Sequence, residues 1–312
     1  MRSSKQLPSR TLLIALLSSS VALAAYEEKK PASEAPAKAE ESAAADGEKK
    51  PSVLEQAMDK AKARDLSGAM VMVEKEMKDN PSLEACQLYL KICQANQFYL
   101  GMVKGYTEWL KLDPKNTSLY EQRGVANYFS GDFKSSVEDF DKYLKTRPEK
   151  LPHHWQLGLS LYAAEEYARG RAQFEEHQKV NAADVENAIW HYLCVAKVEG
   201  VDAAQKALYP YAGDSRAWAK AVYELYAGTG TPEAVLKAAE SAENDAEKNG
   251  RLCYSQLYLG FHDEVHGKPK EALEHFKLAD EAGKKVPNGS GLLSWYMKET
   301  ARVFFEERQP RS

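Results

Sequence analysis

A membrane-length apolar run is missing from this sequence. The N-terminal stretch TLLIALLSSSVALA, residues 11–24, holds about 14 residues where a spanning helix needs roughly 20. Positive charge is also short: 42 Lys and Arg stand against 46 Asp and Glu, a net charge of −4. That balance argues against nucleic-acid binding, which needs a basic patch to meet phosphates. No Ser-His-Asp order, Gly-rich phosphate loop or Cys-x-x-Cys pair occurs anywhere. Cysteine is scarce, with Cys86, Cys93, Cys194 and Cys253 only. Cys86 and Cys93 sit on one predicted helix about 10 Å apart, too far to bridge. A Cys194–Cys253 bond stays open, and all four also suit the role of small buried hydrophobes.

Residues 1–24 have the pattern of an export signal. Arg2, Lys5 and Arg10 precede the apolar stretch, and Ala22-Leu23-Ala24 offers small residues for cleavage. The expectation is cleavage and a soluble periplasmic or secreted chain, with an uncleaved N-terminal anchor as the alternative. Loss of the signal removes three positive charges and no acids, leaving −7. Residues 25–51, rich in Ala, Glu, Lys and Pro, hold Tyr26 as their one bulky apolar side chain. Such a segment cannot bury enough area to offset the entropy of ordering it, so a disordered linker is expected.

From residue 52 onward a repeat of period 34 governs the pattern. Gly124 recurs as Gly158, Tyr128 as Tyr162, Phe133 as Tyr167 and Phe140 as Phe174. Tyr99, Tyr106, Leu110 and Pro114 stand 34 residues before Phe133, Phe140, Leu144 and Pro148. This is the tetratricopeptide period, in which each unit is a pair of amphipathic helices. The predicted fold is all-α: helical-hairpin repeats stacked into a right-handed superhelix over 52–312. The best units are 83–116, 117–150, 151–184 and 253–286, with degenerate pairs over 185–245 and a capping helix over 289–308. An earlier pair lies in KARDLSGAMVMVEKEMKDNP.

The repeat frame decides the meaning of FHDEVHGKPKEALEHF. His262 and His266 look like half of a zinc protease, but that chemistry needs a glutamate directly after the first histidine as general base. Asp263 stands there, and Glu264 comes one residue too late. The two histidines instead fall late in the first helix of the last unit, with Gly267 ending it. His153 and His154 begin the first helix of the 151–184 unit, where a cap is ordinary. No metal, cofactor or catalytic residue is expected.

In such arrays the first helix of each pair lines the inner face. The register puts Gln87, Lys91 and Gln94 there in one unit, Glu121, Val125, Tyr128 and Phe129 in the next, and Trp155, Leu159 and Tyr162 in the third. Aromatics beside polar groups suit an extended peptide or an amphipathic helix. The same residues could equally pack against GLLSWYMKETARVFFEER, whose Leu292, Trp295, Tyr296, Val303 and Phe304 recur at helical spacing.

HHWQLGLSLYAAEEYARGRAQFEEHQ, NAADVENAIWHYLC and SQLYLGFHDEVHGKPKEALEHF resemble a widely spread family of uncharacterised exported tetratricopeptide proteins. The resemblance covers roughly 117–305 and implies the helical repeat fold, with no activity attached. More distantly the arrangement is similar to NlpI-type periplasmic adaptors, which are lipidated at a cysteine this chain lacks. The tetratricopeptide carboxylate clamp uses asparagine at the ninth position, where Lys91, Val125 and Leu159 stand here, so that clamp is not expected.

Together these features predict a non-enzymatic exported scaffold that binds a peptide, helix or partner protein in the groove. The alternatives are a structural subunit of an envelope complex, with self-association filling the groove, and a His-dependent metal protein or enzyme.

Overall fold

The computed structural model describes residues 51–310, and every regular element among them is helical. The expected export signal, 1–24, and all but the last residue of the expected linker, 25–51, lie outside the described residues. The helices are α1 (Val53–Lys62), α2 (Leu66–Asp79), α3 (Leu83–Ala95), α4 (Tyr99–Leu112), α5 (Ser118–Phe129), α6 (Phe133–Thr146), α7 (Trp155–Ala163) and α8 (Tyr167–Gln178). They continue as α9 (Val185–Glu199), α10 (Val201–Ala207), α11 (Ala219–Tyr226), α12 (Pro232–Glu240), α13 (Asp245–Val265), α14 (Pro269–Lys284) and α15 (Trp295–Arg308). A 3-10 turn, Pro148–His153, precedes α7.

Short polar residues start many of these helices by accepting otherwise orphaned N–H groups. Ser52 accepts from the Glu55 N–H at 3.2 Å, while the Glu55 carboxylate accepts from the Ser52 N–H at 2.6 Å, a reciprocal cap. Asp65, Ser82, Asp132 and Asn244 accept likewise from Gly68, Ala85, Ser135 and Glu247. Thr231 caps α12, with Pro232 in its first turn.

From Gln97 onward the hairpin turns keep the repeat frame, and Arg64 stands one residue out of it. Arg64, Gln97, Gly131, Glu165 and Gly267 all take left-handed backbone, with φ of 67°, 53°, 84°, 64° and 73°. The last lies three 34-residue periods beyond Glu165, so the frame survives the degenerate region. Glycine adopts this conformation freely, whereas the three side-chain-bearing residues do so at a cost of about 1–2 kcal/mol each.

The two helices of each good hairpin close through one contact. A Cβ on Gly124 would lie 2.7 Å from Phe140, one on Gly158 2.5 Å from Phe174, and one on Gly260 2.6 Å from Phe276. In the 83–116 hairpin the partners are exchanged. Leu90 occupies the glycine's place and Gly105 faces it, where a Cβ would sit 2.8 Å from Leu90. Buried Asp139 adds a polar tie between α5 and α6, accepting from Arg123 Nε and Nη2 at 2.7 Å each and from Asn127 at 3.0 Å. These hairpins, in this frame, make the chain an all-α repeat protein of the tetratricopeptide type.

The structure departs from the expected pattern in several places. The chain divides between Pro114 and Lys115 into two compact units, called here unit 1 and unit 2. The first helix of the last hairpin starts at Asp245 rather than near residue 253, because Asn244 supplies a cap that early. α10 is only 7 residues long, and residues 208–217 follow without regular structure, tied down by Arg216 and Asp214. His153 lies in the 3-10 turn and His154 is the N-cap of α7, both ahead of the helix. The final helix begins at Trp295, leaving Leu292 outside it. All four cysteines are buried and unbridged.

Candidate functional site

The inner-face candidates fall into two groups with opposite fates. On α3, Gln87, Lys91 and Gln94 form an exposed stripe, and α3 packs through its other sides on α2 and α4. Gln94 Nε2 donates to the Tyr106 hydroxyl at 3.4 Å, and among the described residues no other hydrogen bond or ion pair is seen from these three side chains. Thirty-four residues on, α5 carries Glu121, Val125 and Tyr128, and α7 in turn carries Trp155, Leu159 and Tyr162.

In unit 2 the chain itself covers the aromatic stripe. Tyr128 and Phe129 are 0% and 1% exposed, and Leu159 and Tyr162 are 1% exposed each. Helix α15 lies against the aromatics. Tyr296 stacks on Tyr128 at 5.4 Å, meets Phe129 at 4.6 Å and receives the edge of Trp155 at 4.7 Å. Trp295 meets Phe129 at 5.0 Å, and Phe304 approaches Phe133, Tyr162, Phe261 and Phe276. Tyr128 donates to the Thr300 hydroxyl at 3.4 Å, and Arg302 donates to the Phe129 carbonyl at 2.8 Å. Burial pushes the Tyr128 and Tyr296 hydroxyls well above their ordinary range. Of the two roles open to these residues in the sequence, the structure realises packing against the C-terminal helix.

The remaining candidates of unit 2 sit to one side. Val125 packs on the cluster formed by Val137, Phe140, Leu157 and Leu161. Glu121 is half-buried with Oε1 3.7 Å from His154 Nε2, and burial raises its carboxyl above the usual value.

Glu264 is the residue that sequence reasoning passed over. It lies three periods after Tyr162, on the same inner stripe. Its Oε1 accepts from the Tyr162 hydroxyl at 3.1 Å and from Lys197 at 3.0 Å, and its Oε2 accepts from Arg308 Nε at 2.8 Å. One carboxylate thus joins α7, α9, α13 and α15. Burial pushes Glu264 upward, but Arg308 and Lys197 outweigh it and hold the group below the usual range. The signal was in the frame: the 34-residue register places Glu264 beside the aromatics, whereas comparison with a protease motif discards it.

Beside it opens a cavity of about 280 Å3 whose lining includes Tyr167, Lys197, Leu273, Phe276 and Arg308, with no serine, cysteine or histidine. The two histidines of HDEVH lie against each other. His262 and His266 stack at 4.0 Å, and His266 Nδ1 donates to the His262 carbonyl at 2.7 Å. Asp263 instead faces His275 and Lys268 at 3.5 and 3.4 Å. Among the described residues no three metal-ligating side chains come together, and no helix is long and apolar enough to cross a membrane.

No family model matches the chain, and no curated relative does. Among solved structures it is similar to a tetratricopeptide repeat protein from Parabacteroides merdae, at 18% identity and a TM-score of 0.47, covering 80% of this chain and 97% of that one. The C-terminal part of a TPR repeat-containing protein from Cytophaga hutchinsonii matches at 15% identity and a TM-score of 0.38, covering 78% and 86%. Yeast Tom70 matches at 19% and 0.34; the similarity covers 82% of this chain but 53% of Tom70. At these values the likeness adds nothing to the hairpin geometry, which carries the fold by itself. A likeness to NlpI-type proteins is not shown.

Proposed function

We propose that the chain is a non-enzymatic, exported interaction scaffold that engages a peptide, helix or partner protein along the α3 stripe of unit 1. One observation carries this reading: Gln87, Lys91 and Gln94 are exposed, while the aromatic residues in the same register of unit 2 are already covered by α15. Polar, long side chains at an open stripe favour hydrogen-bonded recognition of a partner over burial of a large apolar one. The export-signal pattern of residues 1–24 supports a mature chain that works outside the cytoplasm.

Affinity capture from the native exported fraction tests this directly. A folded Gln87→Ala/Lys91→Ala/Gln94→Ala variant should lose a partner that the wild type holds. A Tyr128→Ala/Trp155→Ala variant that stays helical should keep it. Retention by the first variant and loss by the second would move the site to unit 2 and overturn the reading.

A second reading rests on Val71 and Leu100 of unit 1, which are 68% and 64% exposed. This reading takes the two side chains as parts of an apolar contact with a second copy in a larger assembly. Sedimentation over a hundredfold concentration range should then show growth in mass that Val71→Ser/Leu100→Ser removes.

A further inference from the structure

All seven histidines of the chain lie beyond residue 152, so unit 1 has none among its described residues. Three of them, His154, His191 and His262, lie inside unit 2, each with a ring nitrogen that makes no hydrogen bond among the described residues and each with one carboxylate nearby, at 3.7, 3.6 and 3.8 Å. His154 is 5% exposed, and its Nδ1 accepts the Leu157 N–H at 3.2 Å as the cap of α7. That acceptor fixes the proton on Nε2, which has no hydrogen-bond partner. The groups facing it are Glu121 of α5 at 3.7 Å and Tyr143 of α6, with Arg147 and Lys150 around Glu121.

His191 of α9 is 3% exposed with both ring nitrogens unpartnered. Its ring lies on Tyr209 at 4.5 Å, and from α8 it is faced by Glu175 at 3.6 Å and by Arg171. His262 of α13 has a buried, unpartnered Nδ1 and stacks on His266, so a charge on one ring opposes a charge on the other. Tyr226 of α11, Asp263 and Lys268 are its other neighbours, and His275 of α14 faces the same Asp263.

We propose that these buried imidazoles make unit 2 an acid-sensitive module, whose hairpins and covered aromatic stripe loosen on acidification.

The sign follows from linkage. A base whose proton affinity is lower folded than unfolded contributes stability that is complete above the unfolded value and lost as pH falls to the folded one. Burial lowers His154 and His262 from 6.5 to about 4, and the charge of His266 adds to the shift of His262. At pH 5.0 each then raises the unfolding constant by roughly 30-fold. Burial lowers His191 and His275 in the same direction. Two carboxyls oppose the effect: burial raises Glu186 to about 7, despite Arg216 beside it, and raises Glu121. Comparison with a variant that changes only the histidines separates the two contributions.

The experiment is amide exchange on the full chain at pH 7.5 and 5.0, corrected for intrinsic rates. Wild type is compared with His154→Asn/His191→Gln/His262→Gln, in which Asn keeps the capping oxygen. Between the two pH values, protection in α7 and α13 should fall by at least about 100-fold more in wild type than in the variant, given two such groups. An equal fall in both proteins overturns the proposal. Should the variant fail to fold, imidazole titration of the wild type by NMR decides. Midpoints well below 6.5 for His154, His191 and His262 support the proposal, and midpoints near 6.5 overturn it.

Discussion

The stripe at Gln87, Lys91 and Gln94 and the stripe at Trp155, Leu159 and Tyr162 occupy the same register of the same repeat, two periods apart. One is polar and open, the other mostly apolar and covered. The backbone frame does not explain the difference, since both hairpins turn through a left-handed residue and both lock a glycine against a large side chain. What differs is the presence of α15. Where a helix lies on the stripe, aromatics fill it and a carboxylate clamps it. Where none does, the same positions hold side chains that tolerate water. The same repeat position can therefore be covered in one hairpin and open in another.

The contrast breaks most severely at α15. Phe304→Ala removes a fully buried ring that meets Phe261 at 4.8 Å, and should cost unit 2 about 3–5 kcal/mol. Gln94→Ala on the open stripe should change stability by no more than about 0.5 kcal/mol. Urea unfolding of each variant checks both.

Next comes the clamp. Glu264→Gln leaves Lys197 and Arg308 without their carboxylate and should cost about 2 kcal/mol at pH 7. Because Glu264 is held below its unfolded value of 4.5, its contribution is present above pH 4.5 and lost as pH falls through the folded value. The gap between wild type and variant should close in that lower window.

A smaller effect than that of the clamp is expected at the turns, where the units should behave alike. Gln97→Gly in unit 1 and Glu165→Gly in unit 2 relieve left-handed strain and should each gain about 1 kcal/mol. A gain in one and a loss in the other would show that the hairpins are not equivalent.

Most of the fold was legible in the sequence because the repeat is written in single residues. Gly124, Gly158 and Gly260 mark the close contacts, and Gly131 and Gly267 mark two of the turns. The 83–116 hairpin was harder, since Leu90 and Gly105 exchange roles across the interface and leave the consensus position filled. Helix ends set by local caps, such as Asn244, moved boundaries that the period alone put elsewhere. The site was legible only in part. The register named the stripe and the helix that could cover it, but covering depends on how the chain returns, which no local pattern encodes. Glu264 was hidden because its four-helix role joins residues 162, 197, 264 and 308, far apart in the chain.

Hydroxyl-radical labelling of the full chain at pH 7.5 tests the two-faced account most directly. Met58 in unit 1 and Met297 on α15 are 41% and 3% exposed, which compares one residue type in the two settings. The account predicts rapid oxidation of Met58 and of exposed Phe98, with Met297, Tyr128 and Tyr296 protected at least tenfold. Labelling of Met297, Tyr128 and Tyr296 as fast as Met58 would show α15 off its stripe and contradict it.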